Sequence, residues 1–396
     1  MNIRFAERTS RLKASEIREL LKLTERPDII SFGGGLPASE LFPLKELKEI
    51  SSKVIENDGE LALQYSTTEG FKPLRDLIAE TRMKPAGVNV TGDDILITSG
   101  SQQGIEFSAK IFVNKGDYII CESPSYLGAI NAFNAYQPNY IEVPMDDNGM
   151  IIDELEKVLK SHPEAKMIYT IPDFQNPTGK TMPVERRKRL AELAAKYCIP
   201  VIEDSPYGEL IFEGKRIPSI KSFDKEGYVV HLGTFSKIFC PGMRLGWVCA
   251  DHEILQKYIL IKQGADLQSS TISQREAALF MQTYSIEDHI ETIKKVYKKR
   301  RDVMLNAMSE YFPKDVKYTH PAGGLFTWVE VREDMDAAVI LEEALKEKVA
   351  FVPGCSFFAN GGHKNFFRMN YSATDEKKTV EGIKKLGAVL HKFYEK

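Results

Sequence analysis

Between about residues 93 and 250, short apolar runs alternate with stretches of helical periodicity. The strand candidates are 95–98, 118–121, 140–143, 167–171, 200–203, 228–232 and 245–250. Helical patterns lie between several of them; in Val184–Tyr197, for example, Leu190, Leu193 and Ala194 recur at helical spacing. That alternation predicts an α/β protein whose large domain is built on a mostly parallel, seven-stranded sheet. Helical patterns continue through about 252–311. Mixed strands at 325–331 and 366–371 and a terminal helix from Asp375 follow, which predicts a smaller α+β domain. Near the start, 15–25 reads as a helix with Ser15 as N-cap, Ile17, Leu20 and Leu21 on one face, and Pro27 closing it.

Composition narrows the function classes. A formal net charge of -3 on 396 residues gives no electrostatic footprint for nucleic acid or an anionic membrane. The five cysteines (Cys121, Cys198, Cys240, Cys249, Cys355) form no CxxC pair, and the seven histidines show no HxxxH spacing, so neither a disulfide frame nor a metal site is expected. Residues 1–8 lack the apolar core of a signal peptide, and no apolar run is long enough to span a bilayer. The expectation is a cytoplasmic protein.

In an open α/β sheet, ligands collect at the carboxyl ends of strands. The polar residues in need of explanation sit there. Lys237 lies in Gly233-Thr234-Phe235-Ser236-Lys237, between two apolar strands, with Pro241-Gly242-Met243-Arg244 after it. An amine held beside hydroxyls and an arginine suits pyridoxal phosphate carried as a Schiff base, with Thr234, Ser236 and Arg244 around the phosphate. Ser101 and Gln102 open a helix after strand 95–98, where exposed N–H groups bind phosphate; a plain serine-capped turn explains them equally well. Asp204 ends a strand and suits a ring nitrogen, with Tyr207 three residues on within reach of a phenolic oxygen; the alternative is a helix cap or surface acid. Asn176, in Asn-Pro-Thr-Gly, offers an amide donor or simply a turn. Tyr126 suits stacking on a flat ring, or a place at the rim of the core. Strand periodicity puts Phe367, Met369 and Tyr371 on one face and Arg368 on the other; its charge needs either a substrate carboxylate or a structural acid. Arg18 has no acid three or four residues away on its helix, which leaves it solvent-exposed or free to meet a ligand.

Taken in order, GSQQG, PSY, NPTG, EDSPY, TFSK with PGMR, and FRMNYS resemble the pyridoxal-phosphate-dependent fold-type I aminotransferases of class I/II over nearly the whole chain. Residues 11–21, with Gly33-Gly34-Gly35-Leu36-Pro37, look closest to the α-aminoadipate (lysine-pathway) enzymes and their broad-specificity aromatic relatives. The resemblance implies a covalent link to the cofactor at Lys237, a ring-nitrogen partner in Asp204, and Asn176 and Tyr207 on the phenolic oxygen. It implies a phosphate cup of Ser101, Gln102, Thr234, Ser236 and Arg244, with Tyr126 on the ring. Arg368, helped by Asn176 and the Gly35 backbone, is to hold the substrate α-carboxylate, and Arg18 the substrate side chain. A homodimer with shared active sites is implied, Tyr65 reaching the neighbouring subunit's phosphate. So are three units: an N-terminal segment 1–45 covering the site, a cofactor-binding domain 46–290 and a small domain 291–396. The expected reaction is ping-pong transfer of an amino group from an L-amino acid to a 2-oxo acid such as 2-oxoglutarate, with 2-aminoadipate, glutamate, aromatic or aliphatic donors. Kynurenine aminotransferase or C–S β-lyase activity on the same fold is the alternative. A transcription regulator built on this fold would carry a winged-helix domain ahead of it, and the recognisable pattern here starts near residue 11. Nucleotide binding through the glycine loop is disfavoured because the loop lacks GxGxxG and GxxxxGK[ST] spacing.

Overall fold

The computed structural model describes residues 3–11 and 28–395. The helix expected at 15–25, and Arg18 with it, lie outside the described residues. All seven strand candidates form and join one sheet in the order Ile95–Thr98, Gly246–Cys249, Val229–Thr234, Val201–Asp204, Met167–Thr170, Tyr118–Ser123, Asn139–Asp146. The sheet has an eighth member, Gly149–Met150, which turns back antiparallel on Asn139–Asp146. The five central and neighbouring strands from Val229–Thr234 to Asn139–Asp146 pair in parallel, while Gly246–Cys249 runs antiparallel to both its neighbours.

Local chemistry explains the elements. Ile95–Thr98, Met167–Thr170 and Val201–Asp204 are buried at every position, as strands covered on both faces by helices must be. The covering helices include Ser101–Phe112 and Val184–Tyr197, the latter burying Leu190, Leu193 and Ala194 as its spacing requires. The pattern at 252–311 resolves into helices His252–Ala265, Thr271–Thr283 and Ile286–Tyr311, whose N-caps Asp251, Ser270 and Ser285 each accept a backbone N–H.

A second, antiparallel sheet has the order Lys317–Tyr318, Phe326–Glu330, Phe366–Asn370, Val352–Pro353. Phe367, Met369 and Tyr371 pack into a core with Phe351, Ile383 and Leu386, the last two from the terminal helix Glu376–Tyr394. Arg368, on the other face of the same strand, is thereby directed away from that core and towards the large sheet. Ile30–Ser31 pairs in parallel with Val349–Ala350, which brings the glycine loop 33–35 over the gap between the sheets. Among the described residues no helix is long and apolar enough to cross a membrane.

Candidate active site

Strand register assembles the site. Thr98 lies opposite Gly246, and Gly246 lies opposite Thr234. The start of helix Ser101–Phe112, Arg244 and the turn after Thr234 therefore meet at one edge of the sheet. The parallel strands Tyr118–Ser123, Met167–Thr170 and Val201–Asp204 end at the same edge, delivering Tyr126, Asn176 and Asp204. These residues line a cavity of about 360 Å3 together with Lys237, Tyr207 and Arg368.

At one end, Gly100 enters the helix at φ +79°, and a Cβ there would lie 2.7 Å from an Arg244 guanidinium nitrogen. Only glycine lets the guanidinium close over the helix N-terminus. Arg244 donates to the carbonyls of Ser99 (3.1 Å) and Pro241 (3.2 Å) and, among the described residues, forms no ion pair. Thr234 Oγ1 donates to Ser236 Oγ at 2.9 Å and accepts from Ser236 N at 3.1 Å. Gln102 is anchored to Gly128 O at 2.8 Å and accepts from the Tyr126 hydroxyl at 3.4 Å.

At the floor, the Tyr169 hydroxyl donates to Asp204 Oδ2 at 2.7 Å, while the buried Oδ1 has no partner among the described residues. Burial pushes the Asp204 carboxyl up to about 6, against the hydrogen bond from Tyr169 and the charges of His231 and Lys237. Lys237 Nζ donates to Gly35 O at 2.8 Å. Burial, then repulsion from Arg368 and Arg244, lowers its ammonium to about 8, with Asp204 opposing. Burial drives the Tyr207 phenol upward.

Arg368 is 2% exposed and has no acidic partner among the described residues. Its Nη1 donates to Asn176 Oδ1 and its Nη2 to Gly33 O, both at 2.8 Å, and Nε is buried with no partner among the described residues. Phe326 stacks beneath it, 4.1 Å from ring centroid to guanidinium carbon. Burial lowers Arg368 to about 10, which leaves it charged at neutral pH. Asn176 Nδ2 also donates to the Tyr207 hydroxyl at 3.4 Å.

The sequence pattern of the family described as aminotransferase class I and II matches residues 27–386. The chain belongs to that family. The aminotransferase is 45% identical to an aromatic-amino-acid aminotransferase of Thermococcus litoralis, covering 98% of this chain and 94% of that one. It is 42% identical to a 2-aminoadipate transaminase of Thermus thermophilus over 98% and 96% of the two chains. A solved kynurenine aminotransferase of Pyrococcus horikoshii, in complex with PMP, superposes with a TM-score of 0.94 at 44% identity, covering 98% of this chain and 97% of that one.

The aminotransferase uses pyridoxal phosphate, and its cavity fits that group. Among the described lining residues, Lys237, Arg244 and Arg368 stand against one carboxylate, Asp204, a charge pattern suited to a phosphate and a carboxylate together. Asp204 Oδ1, orphaned and buried, is an acceptor awaiting a donor.

Of the residues named from sequence, Gly35, Ser101, Gln102, Tyr126, Asn176, Asp204, Tyr207, Thr234, Ser236, Lys237, Arg244 and Arg368 all line this cavity. Tyr65 does not: it is 77% exposed on the outer surface. Sequence reasoning missed Tyr169, whose signal is register, since Tyr169 pairs with Ile202, two residues and hence one side-chain repeat before Asp204. It also missed Leu36, Ile171 and Phe326 in the lining. Among the described residues no cluster of His, Cys, Asp and Glu could hold a metal ion.

Proposed function

We propose that this aminotransferase moves the amino group of L-amino acids with aromatic, aliphatic or 2-aminoadipate side chains to 2-oxoglutarate in two successive half-reactions. The observation that carries the reading is the buried guanidinium of Arg368, with no acidic partner among the described residues, in one cavity with Lys237. A guanidinium kept charged and short of a counter-ion is a receptor for a carboxylate, and both amino acid and oxo acid bring one. The bound cofactor supplies a covalent carrier for the amino group and a ring that takes up the electron pair left at the substrate α-carbon.

In this reading the protein's residues do the rest. Arg368 binds the α-carboxylate by exchanging its contact with Gly33 O for the substrate. Lys237, its ammonium lowered to about 8, would take the substrate α-proton as a neutral amine and hold it at Nζ, placed to return it on the cofactor side of the imine nitrogen. Asp204 holds a proton on the ring nitrogen. Asn176 and Tyr207 donate to the phenolic oxygen, Tyr126 covers the ring, and Ser101, Gln102, Thr234, Ser236 and Arg244 hold the phosphate. Leu36, Ile171 and Phe326 give the described lining an apolar wall that suits aromatic side chains; Arg18 is the partner proposed for an acidic one. The names of the Thermococcus, Thermus and Pyrococcus relatives support the aromatic and 2-aminoadipate donors in that range.

The reading includes a homodimer with Tyr65 at the partner's phosphate. Leu44, Ile55, Leu61, Leu63 and Tyr65 are exposed along helix Leu44–Ala62 and just after it, apolar side chains available to a subunit contact. Light scattering that found only monomer in the active preparation would end that part.

The test is a donor panel against 2-oxoglutarate, ranked by kcat/KM. Phenylalanine, tyrosine and kynurenine are expected to lead, with leucine and 2-aminoadipate following and glutamate formed from each. A panel yielding no glutamate from any donor removes the proposal. In the same assay Arg368→Ala is expected to raise KM for amino and oxo acids about 100-fold, from the loss of charge-assisted hydrogen bonds each worth about 1.5–3 kcal/mol. Affinity for pyridoxal phosphate should stay within about threefold, since Arg244 and the helix terminus remain in place. Equal loss of both affinities would make Arg368 a structural residue.

A further inference from the structure

Behind the cavity lies a buried polar network to which none of these roles is assigned. Glu122, near the end of strand Tyr118–Ser123, is 1% exposed and forms no ion pair among the described residues. Its Oε1 accepts from Thr170 Oγ1 at 2.5 Å, and its Oε2 from Ile171 N at 3.3 Å and Gln175 Nε2 at 3.0 Å. Gln175, equally buried, spends its whole amide: Nε2 donates also to Pro124 O at 2.8 Å, and Oε1 accepts from Thr178 N at 3.0 Å and Thr178 Oγ1 at 2.7 Å. A carboxylate without a cation is an expensive group to bury, and burial does push it up to about 7. An apolar pair of similar volume would plug the same space at less cost.

What the network does that a plug could not is join two loops in fixed register. Gln175 immediately precedes Asn176, and Pro124 lies two residues before Tyr126. Asn176 in turn holds Arg368 and Tyr207 through the two ends of its own amide. We propose that Glu122 and Gln175 are positioning residues, which lock the Asn176 loop to the Tyr126 loop and so set where the Asn176 amide presents Arg368 and Tyr207. The inference rests on the roles given above to Asn176 and Arg368. Neither Glu122 nor Gln175 touches the cavity; their effect passes through their neighbours.

The experiment compares Gln175→Ala, Gln175→Met, Glu122→Ala and Glu122→Gln in the full-length enzyme loaded with pyridoxal phosphate. Each is measured for Tm, for kcat and KM with one aromatic donor, and for the pH midpoint of the cofactor's visible absorbance. Gln175→Met keeps the volume and remains informative where alanine fails to fold. Gln175→Met and Glu122→Ala are expected to raise donor KM about tenfold, a factor that corresponds to about 1.4 kcal/mol, and to move the absorbance midpoint by about half a pH unit, since one unit corresponds to 1.36 kcal/mol. Glu122→Gln should stay within about twofold of the parent: its amide oxygen still accepts from Gln175, and its amide nitrogen donates to Thr170 once that hydroxyl turns. Variants that lower Tm but leave KM and the midpoint unmoved would make the network a plug and overturn the proposal, as would a Glu122→Gln as damaged as Glu122→Ala. The parent enzyme and Lys237→Ala are run alongside. A parent that does not transaminate, or a lysine variant that does, overturns the function itself; normal controls with an unaffected Gln175→Met overturn the positioning role alone.

Discussion

Lys237→Ala is expected to reduce transamination about 10⁴-fold or more and to abolish the lysine-linked absorbance of the bound cofactor. The argument is local. A lysine at its ordinary 10.5 leaves roughly one amine in a few thousand neutral at pH 7. Burial, Arg368 and Arg244 bring Lys237 to about 8, so that about one in ten is neutral before any cofactor binds. Among the described lining residues no replacement is at hand: the other cations there are Arg244 and Arg368, and guanidinium groups stay protonated and make poor bases. The residues proposed to hold the phosphate are untouched by the substitution, so the variant should still retain pyridoxal phosphate on dialysis, without the covalent signature. Steady-state glutamate formation and the visible spectrum check both halves. Turnover above about a hundredth of the parent rate would remove Lys237 from its role, because a missing proton shuttle is worth about 10²–10⁴-fold by itself.

How much of this was legible follows from which forces are local. All seven expected strands form because each is a short run of apolar side chains, a signal carried within the segment. Gly149–Met150 has two residues, too few to show any periodicity, and exists because Asn139–Asp146 offers it an edge. Lys237, Asp204 and Asn176 could be picked out because they follow strand ends, where the sheet rule places ligands. Tyr169 could not, because its meaning depends on lying beside Ile202 in the next strand. Glu122 and Gln175 stand 53 positions apart and meet only through the fold. Arg368 was visible as a charge in an apolar strand, but the choice between a structural acid and a ligand needed coordinates. Among the described residues the guanidinium meets an asparagine and a glycine carbonyl and no acid, which supports the ligand role proposed for it. Phe326 under that guanidinium belongs to a different strand of the second sheet, and strand period alone assigns it only to a face.

Asp204→Asn separates stability from catalysis, and the two effects should have opposite signs. Folding takes this carboxyl from an ordinary 3.8 to about 6, chiefly by burial. The folded form therefore binds a proton that the unfolded chain has already released, and the cofactor-free protein loses stability as pH rises from about 4 to above 6. The shift corresponds to a cost of about 3 kcal/mol at pH 7, which an amide of the same shape does not carry. Asparagine can keep the hydrogen bond from Tyr169 through its oxygen, since the Tyr169 hydroxyl is a donor. The cofactor-free variant should therefore melt several degrees above the parent at pH 7, and the difference should close near pH 4. Loaded with pyridoxal phosphate, the same variant should bind the cofactor through an intact phosphate cup yet turn over about 10²–10³-fold more slowly, the usual range for one electrostatic contact to developing charge. With the negative charge gone, nothing else in the described lining is suited to hold a proton on the ring nitrogen: Lys237, Arg244 and Arg368 are all basic groups. Thermal melts of both cofactor-free proteins from pH 4 to 8, set beside kcat for the loaded ones, measure the pair of effects. An unchanged kcat would remove Asp204 from the chemistry, and a variant that melts lower at pH 7 would show that the carboxylate serves the fold. A residue that weakens the empty protein and speeds the loaded one has been placed for the reaction.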